Sequence, residues 1–116
     1  MTVELPETLP VTLSSLAELA VECWRLERWS AGARNPSPQA RHVARRMGKF
    51  LADLGLEALD VTGRAYEPGL AVEVLDAFDD ARLAHGSQVV DETVSPLVLF
   101  RGALVRHGQV VLRRNV

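Results

Sequence analysis

Cysteine occurs once in this chain of 116 residues, at Cys23. A single thiol excludes an internal disulfide framework and fits a reducing, cytoplasmic setting. No apolar run approaches the roughly 18 residues that a membrane-spanning helix needs. The opening stretch, MTVELPETLP, carries Glu4 and Glu7 where an export signal would carry Lys or Arg, so none is expected. A glycine-rich phosphate loop and a Gly-x-Ser-x-Gly nucleophile elbow are both missing. His42, His85 and His107 are scattered, with no His-x-x-x-His or Cys-x-x-Cys setting, and no metal site is expected. Asp76, Asp79 and Asp80 lack the alternating spacing of a calcium loop. Neither a repeat nor a low-complexity tract is visible. The expectation is a non-enzymatic domain without metal or cofactor.

Acidic residues are absent between Glu27 and Asp53, where Arg28, Arg34, Arg41, Arg45, Arg46 and Lys49 all fall. From Asp53 to Glu92 the sign reverses, interrupted only by Arg64 and Arg82. Arg101, Arg106, Arg113 and Arg114 then make the end basic again, and the net charge is only -2. Separated fields of this kind suit contacts with complementary patches, although ordinary solvated faces account for them as well. The row from Arg41 to Lys49 could meet a polyanion. Against nucleic acid stand the lack of interleaved aromatics, which are 5% of the chain, and the acidic segment that follows.

What is present is a change of period. Residues 1–13 contain Pro6 and Pro10 and read as an extended arm. Ser15-Leu16-Ala17-Glu18 has the form of a capping box. Leu16, Leu19, Ala20, Cys23 and Leu26 recur at spacings of three and four, which predicts a helix from about Leu16 to Trp29. Val21 and Trp24 widen its apolar stripe, and Trp24 and Trp29 are possible interface anchors as well as packing residues. Cys23 lies on the stripe with no histidine neighbour, as a structural thiol would. Residues 30–36 read as loop. Ser37-Pro38 opens a second helix, with serine as N-cap and proline where no amide is needed. Its apolar face is Ala40, Val43, Met47, Phe50, Leu51 and Leu54, and Leu54-Gly55-Leu56 reads as its stop.

Beyond Gly55 the pattern is that of strands. Turns are marked at Thr62-Gly63 and at Tyr66 to Gly69, and Leu70, Val72 and Val74 then alternate. A polar loop from Asp79 to Ser87 leads to a strand from Gln88 to Val94, broken by Pro96. Three short runs follow, Leu97 to Phe100, Ala103 to Arg106 and Val110 to Leu112. Arg101-Gly102 and His107-Gly108 stand between them, as hairpin turns would. The expected fold class is α+β, in three parts. These are an arm (1–13), a helical hairpin (14–55) and a small all-β wing arranged as a compact meander or barrel-like sheet (56–116). Two short helices cover each other poorly, so a second copy of the chain is expected to complete a four-helix bundle. The expected dimer interface is Leu19, Cys23, Leu26, Val43, Met47, Phe50, Leu51 and Leu54.

At Gly55 to Asp60, at Gly63 and at Tyr66-Glu67-Pro68-Gly69-Leu70 the chain resembles the GrpE family. Members close their second bundle helix with a Gly-Val-Glu-like stop and open the β-domain with a Phe-Asp-Pro-Asn-like turn. Gly86 to Glu92 is similar to the family's Gly-Thr-Val-Val-Glu strand, and Leu104 to Leu112 to its closing strands. The likeness covers about Leu16 to Leu112 in element order, with sparse identities. It implies a homodimeric co-chaperone that binds the nucleotide-binding domain of a DnaK-type chaperone, promotes nucleotide release and is not itself catalytic. The implied partner-binding residues are on the wing: Leu97, Leu99, Phe100, Arg101, Leu104 and Arg106.

The chain also departs from the family. The long paired helix before the bundle has no counterpart, so thermal sensing and contact with the chaperone's substrate side are expected to be absent. Ala71-Val72 replaces the usual His-Glu after Pro68. Ala103 stands where the family has an arginine, with Arg101 across Gly102 as a possible substitute. Three functions are compatible with these observations: an exchange factor for an ordinary or divergent DnaK-type chaperone, an adaptor of the same fold without exchange activity, and a small nucleic-acid binder.

Overall fold

The computed structural model describes residues 4–32, 34 and 37–116. It is α+β, with two helices followed by two small sheets. The first three residues of the arm, and residues 33, 35 and 36 of the inter-helix loop, lie outside the described residues. Residues 4–12 form no regular element and are exposed throughout.

Helix α1 spans Leu13–Gly32, longer at both ends than its stripe predicts. Its cap is not the Ser15–Glu18 box. Thr12 Oγ1 accepts the Ser15 amide at 3.1 Å and donates to Ser15 Oγ at 3.0 Å, one turn earlier. Thr12 offers the same side-chain oxygen as Ser15, and starting there adds a turn to the helix. At the other end Ser30 Oγ donates back to the Glu27 carbonyl at 3.0 Å. Helix α2 spans Pro38–Asp53, and its start is the expected one: Ser37 is extended and its Oγ accepts the Ala40 amide at 3.3 Å. It stops at the glycine. Gly55 has φ 101°, and its amide donates to the Ala52 carbonyl at 2.9 Å. A side chain would be strained in that conformation.

The first sheet contains β1 (Leu56–Leu59), β4 (Leu97–Phe100) and β5 (Ala103–Arg106), in the order β1-β4-β5 and antiparallel throughout. Its β4–β5 turn is the expected hairpin. Arg101 (φ 49°) and Gly102 (φ 84°) both adopt left-handed backbone, as a two-residue turn of this hand requires. The second sheet contains β2 (Val72–Asp79), β3 (Gln88–Ser95) and β6 (Gly108–Arg114), in the order β2-β6-β3. The last strand therefore lies in the middle, parallel to β2 and antiparallel to β3.

This topology corrects the expected meander. His107-Gly108 is not a hairpin turn: β5 belongs to the first sheet and β6 to the second, so His107 carries the chain from one to the other. Pro96 does the same between β3 and β4. With one residue at each crossing, the two sheets are held close at two points, and Pro96 is fully buried there.

Two cores result, and the boundary at Gly55 does not separate them. The first joins Ala17, Ala20, Val21 and Cys23 of α1 to Leu51, Leu56 and Val98, with Met47, Phe100 and Val105 packed against it. The helices thus share their interior with the first sheet. The second core is Val61, Val90, Leu97, Val110 and Leu112. Neighbouring residues on a strand point to opposite faces, so β4 sends Leu97 into one core and Val98 into the other.

Two polar clusters fix the second sheet. Thr93 is fully buried; its Oγ1 accepts the Val61 amide at 3.2 Å and lies 2.9 Å from Thr62 Oγ1. The Arg28 guanidinium of α1 donates to the Thr93 carbonyl, lies 3.7 Å from the Glu92 carboxylate and sits over the Trp24 ring at 5.0 Å. At the other end Asp80 receives Arg82 Nε at 2.9 Å and Arg113 Nη1 at 3.3 Å. The Arg82 side chain above all, then its backbone amide and Arg113, hold the Asp80 carboxyl well below its ordinary value of 3.8. A carboxyl whose folded value is depressed contributes stability above its unfolded value, and loses it as pH falls through the folded one. Acid denaturation below about pH 4 is therefore expected to be shallower in Asp80→Asn than in the parent chain. Urea melts across the acid range, compared with those at pH 7, check this.

Candidate partner-binding surfaces

The expected wing residues lie on β4, β5 and the turn between them, but not all on the outside. Leu97 is only 6% exposed and belongs to the second core, so it supports the surface from beneath. Leu99, Phe100 and Arg106 are half-buried, while Arg101 and Leu104 are exposed. Arg101 is turned toward the joint. Its amide donates to the Gly55 carbonyl at 2.9 Å, and its guanidinium lies 4.9 Å from the Phe100 ring centre. A Cβ on Gly55 would come within 3.1 Å of Arg101 Cγ and 3.3 Å of the Phe100 ring, so the glycine leaves room for this tip to fold against the helix end.

The expected dimer residues divide in the same way. Cys23 and Leu51 are buried within the chain's own core, and Leu26 and Met47 are half-buried. Leu19, Val43, Phe50 and Leu54 are open to solvent, Phe50 by 68%. Val43, Met47, Phe50 and Leu54 follow one another at the four-three-four spacing of a paired-helix seam. Helix α2 thus has one face spent on the first core and a second stripe left over, while on α1 the exposed member of the set is Leu19. Burial, followed by the nearby Glu27 and Glu22, pushes the Cys23 thiol up, which makes it a poor nucleophile.

Arg41, Arg45, Arg46 and Lys49 are exposed on α2 and form no ion pair among the described residues. Trp29 is 66% exposed, whereas Trp24 is half-buried beneath Arg28. His42, His85 and His107 are exposed on separate elements. No described helix is long and apolar enough to cross a membrane.

Sequence reasoning missed β1 and the Arg28 contacts. The β1 apolar residues, Leu56 and Leu59, continue the helical spacing of the residues before them, and an arginine next to a tryptophan carries no mark of its distant carbonyl partner. No protein-family model matches the chain, and no curated protein is significantly similar to it.

Proposed function

We propose that this chain is a GrpE-like co-chaperone, a homodimer that binds the nucleotide-binding domain of a DnaK-type chaperone and promotes nucleotide release. The observation that carries the proposal is the leftover stripe Leu19, Val43, Phe50 and Leu54, on helices that support a β head with an exposed tip. Two such stripes would close into a four-helix bundle and leave the β heads free. The tip would present Leu104 and Arg101, backed by Phe100, Leu99 and Arg106, with Leu97 beneath them. No covalent step is required. A head that binds the open, empty nucleotide domain better than the closed, loaded one weakens nucleotide binding by the same factor.

The test is release of a fluorescent nucleotide from a DnaK-type chaperone. Acceleration by the full chain, reduced roughly tenfold by combined Leu104→Ala and Arg106→Ala, is the expected result. Unchanged release at saturating protein rejects the exchange role. The adaptor reading without exchange is favoured by one observation. Ala103 offers no guanidinium, and Arg101 is folded onto Phe100 and Gly55. Capture of the chaperone without faster release would select it.

A further inference from the structure

The second sheet has two edges, and only one is covered. Along β3, the Gly63 amide donates to the Val90 carbonyl at 2.8 Å, Val90 to Arg64 at 2.9 Å and Tyr66 to Gln88 at 2.9 Å. The opposite edge is β2, eight residues long, and among the described residues no strand pairs with its outer side. Every second backbone group of an edge strand is unmatched, so such an edge is a template for another strand unless it is obstructed.

Obstruction here is slight. No proline interrupts β2, and Val74, Leu75 and Phe78 are 37%, 47% and 45% exposed. The Ala77 amide is held by the carboxylate of the preceding residue, Asp76, at 2.8 Å. An exposed side chain can give up such a donor to an incoming carbonyl. The bulge between Val74 and Asp76 leaves Leu75 without a partner on β6 and adds it to the exposed apolar set.

Charge decides the occupant. Glu73, Asp76 and Asp79 are all exposed along the strand, and the cation nearest to them is Arg114, 3.8 Å from Asp79. A second copy of β2 would set these carboxylates against their own kind, which is unfavourable for directly opposed like charges. The arm of the chain is also unsuited, because Glu4 and Glu7 are acidic and Pro6 and Pro10 have no amide to donate. We infer that the outer edge of β2 accepts an extended segment of another protein, with Lys or Arg alternating with apolar residues, as a fourth strand of the second sheet. Its cations pair with Glu73 and Asp76, which share one face of the strand, and its apolar side chains cover Val74 on the opposite face. This site is separate from the β4–β5 tip and does not depend on nucleotide exchange.

The probe is a fluorescein-labelled peptide of alternating valine and lysine, titrated against the full chain by anisotropy. One control has glutamate for lysine; another keeps the charge but has proline at alternate positions. The parent peptide is expected to bind, and each control to bind roughly tenfold more weakly or worse. Hydrogen exchange should slow at the Val74 to Asp79 amides when the parent peptide is present. In Glu73→Lys with Asp76→Lys, both exposed positions, circular dichroism should be unchanged and the preference should reverse to the glutamate peptide. Equal binding of the proline peptide would show attraction by charge alone and overturn the inference. So would an absence of binding, or protection confined to α2. Protection of β2 that grows with protein concentration in the absence of peptide would replace the proposed occupant by a second copy.

Discussion

Replacing Gly108 by valine is expected to lower the stability of this chain by about 3 kcal/mol, or the melting temperature by roughly 10–20 °C. Gly108 is the first residue after the crossing at His107 and is buried between the sheets. A Cβ built there would lie 2.9 Å from Leu97 Cδ1, 3.1 Å from the Ser95 carbonyl oxygen and 3.2 Å from the Leu97 amide nitrogen. The leucine terminus could turn aside, but two of the three neighbours are backbone on either side of Pro96, the other crossing. Moving them means moving both sheets, and the Gly108 amide would have to keep its 3.0 Å hydrogen bond to the Ala71 carbonyl. Alanine at the same position should cost about half as much. Gly32→Ala is the control: nothing lies within 4 Å of its Cβ site, and a change under about 1 kcal/mol is expected. Thermal melts followed by circular dichroism measure all three. A valine variant as stable as the parent would mean that the sheets are not pinned at this crossing.

The second large effect distinguishes two adjacent residues. Leu51→Asp should abolish folding, because a carboxylate would enter the first core among Val21, Leu56 and Val98, a cluster of apolar side chains. An uncompensated buried charge costs about 4 kcal/mol or more, comparable with the whole stability of a small domain. Phe50→Asp should leave the fold intact, since Phe50 is 68% exposed and takes no part in either core. Its expected effect is on assembly: a charge in the stripe beside Val43 and Leu54 should turn a dimer into a folded monomer. Light scattering, with circular dichroism on the same samples, distinguishes the outcomes. A parent chain that is already monomeric would remove the dimer from the proposal. A Phe50→Asp variant that remains dimeric would move the interface away from the helices.

Much of the architecture was legible because a few residues permit few conformations. Ser37-Pro38 could hardly do anything but open a helix, and Gly55 after an apolar turn closed one. Arg101-Gly102 specified a tight hairpin through its backbone needs. His107-Gly108 looks the same on paper, yet there the glycine serves close packing rather than a turn. Period-two alternation identifies a strand without naming its neighbours, so neither the parallel pairing of β2 with β6 nor the division into two sheets could be read from it.

The candidate surfaces were harder to read for a chemical reason. A leucine on the surface and a leucine in a core are the same residue in the sequence, and only the backbone on which each is mounted separates Leu104 from Leu97. On the helices, spacings of three and four brought both apolar stripes into one set, and the structure divides them into Leu51 and Cys23 inside and Phe50, Leu54, Val43 and Leu19 outside. The β2 edge carried a signal in its acidic residues, but openness is a property of the sheet order.

The central place of β6 governs how this molecule can come into being. On the ribosome, β2 and β3 emerge before residues 108–114 and do not pair with each other; β3 has residues 63–66 along one edge, but β2 must wait for β6. Until residues 108–114 have left the exit tunnel, the nascent chain can assemble its helices and first sheet but holds β2 unpaired and β3 open along one edge. That interval is when it most needs protection from other newly made chains.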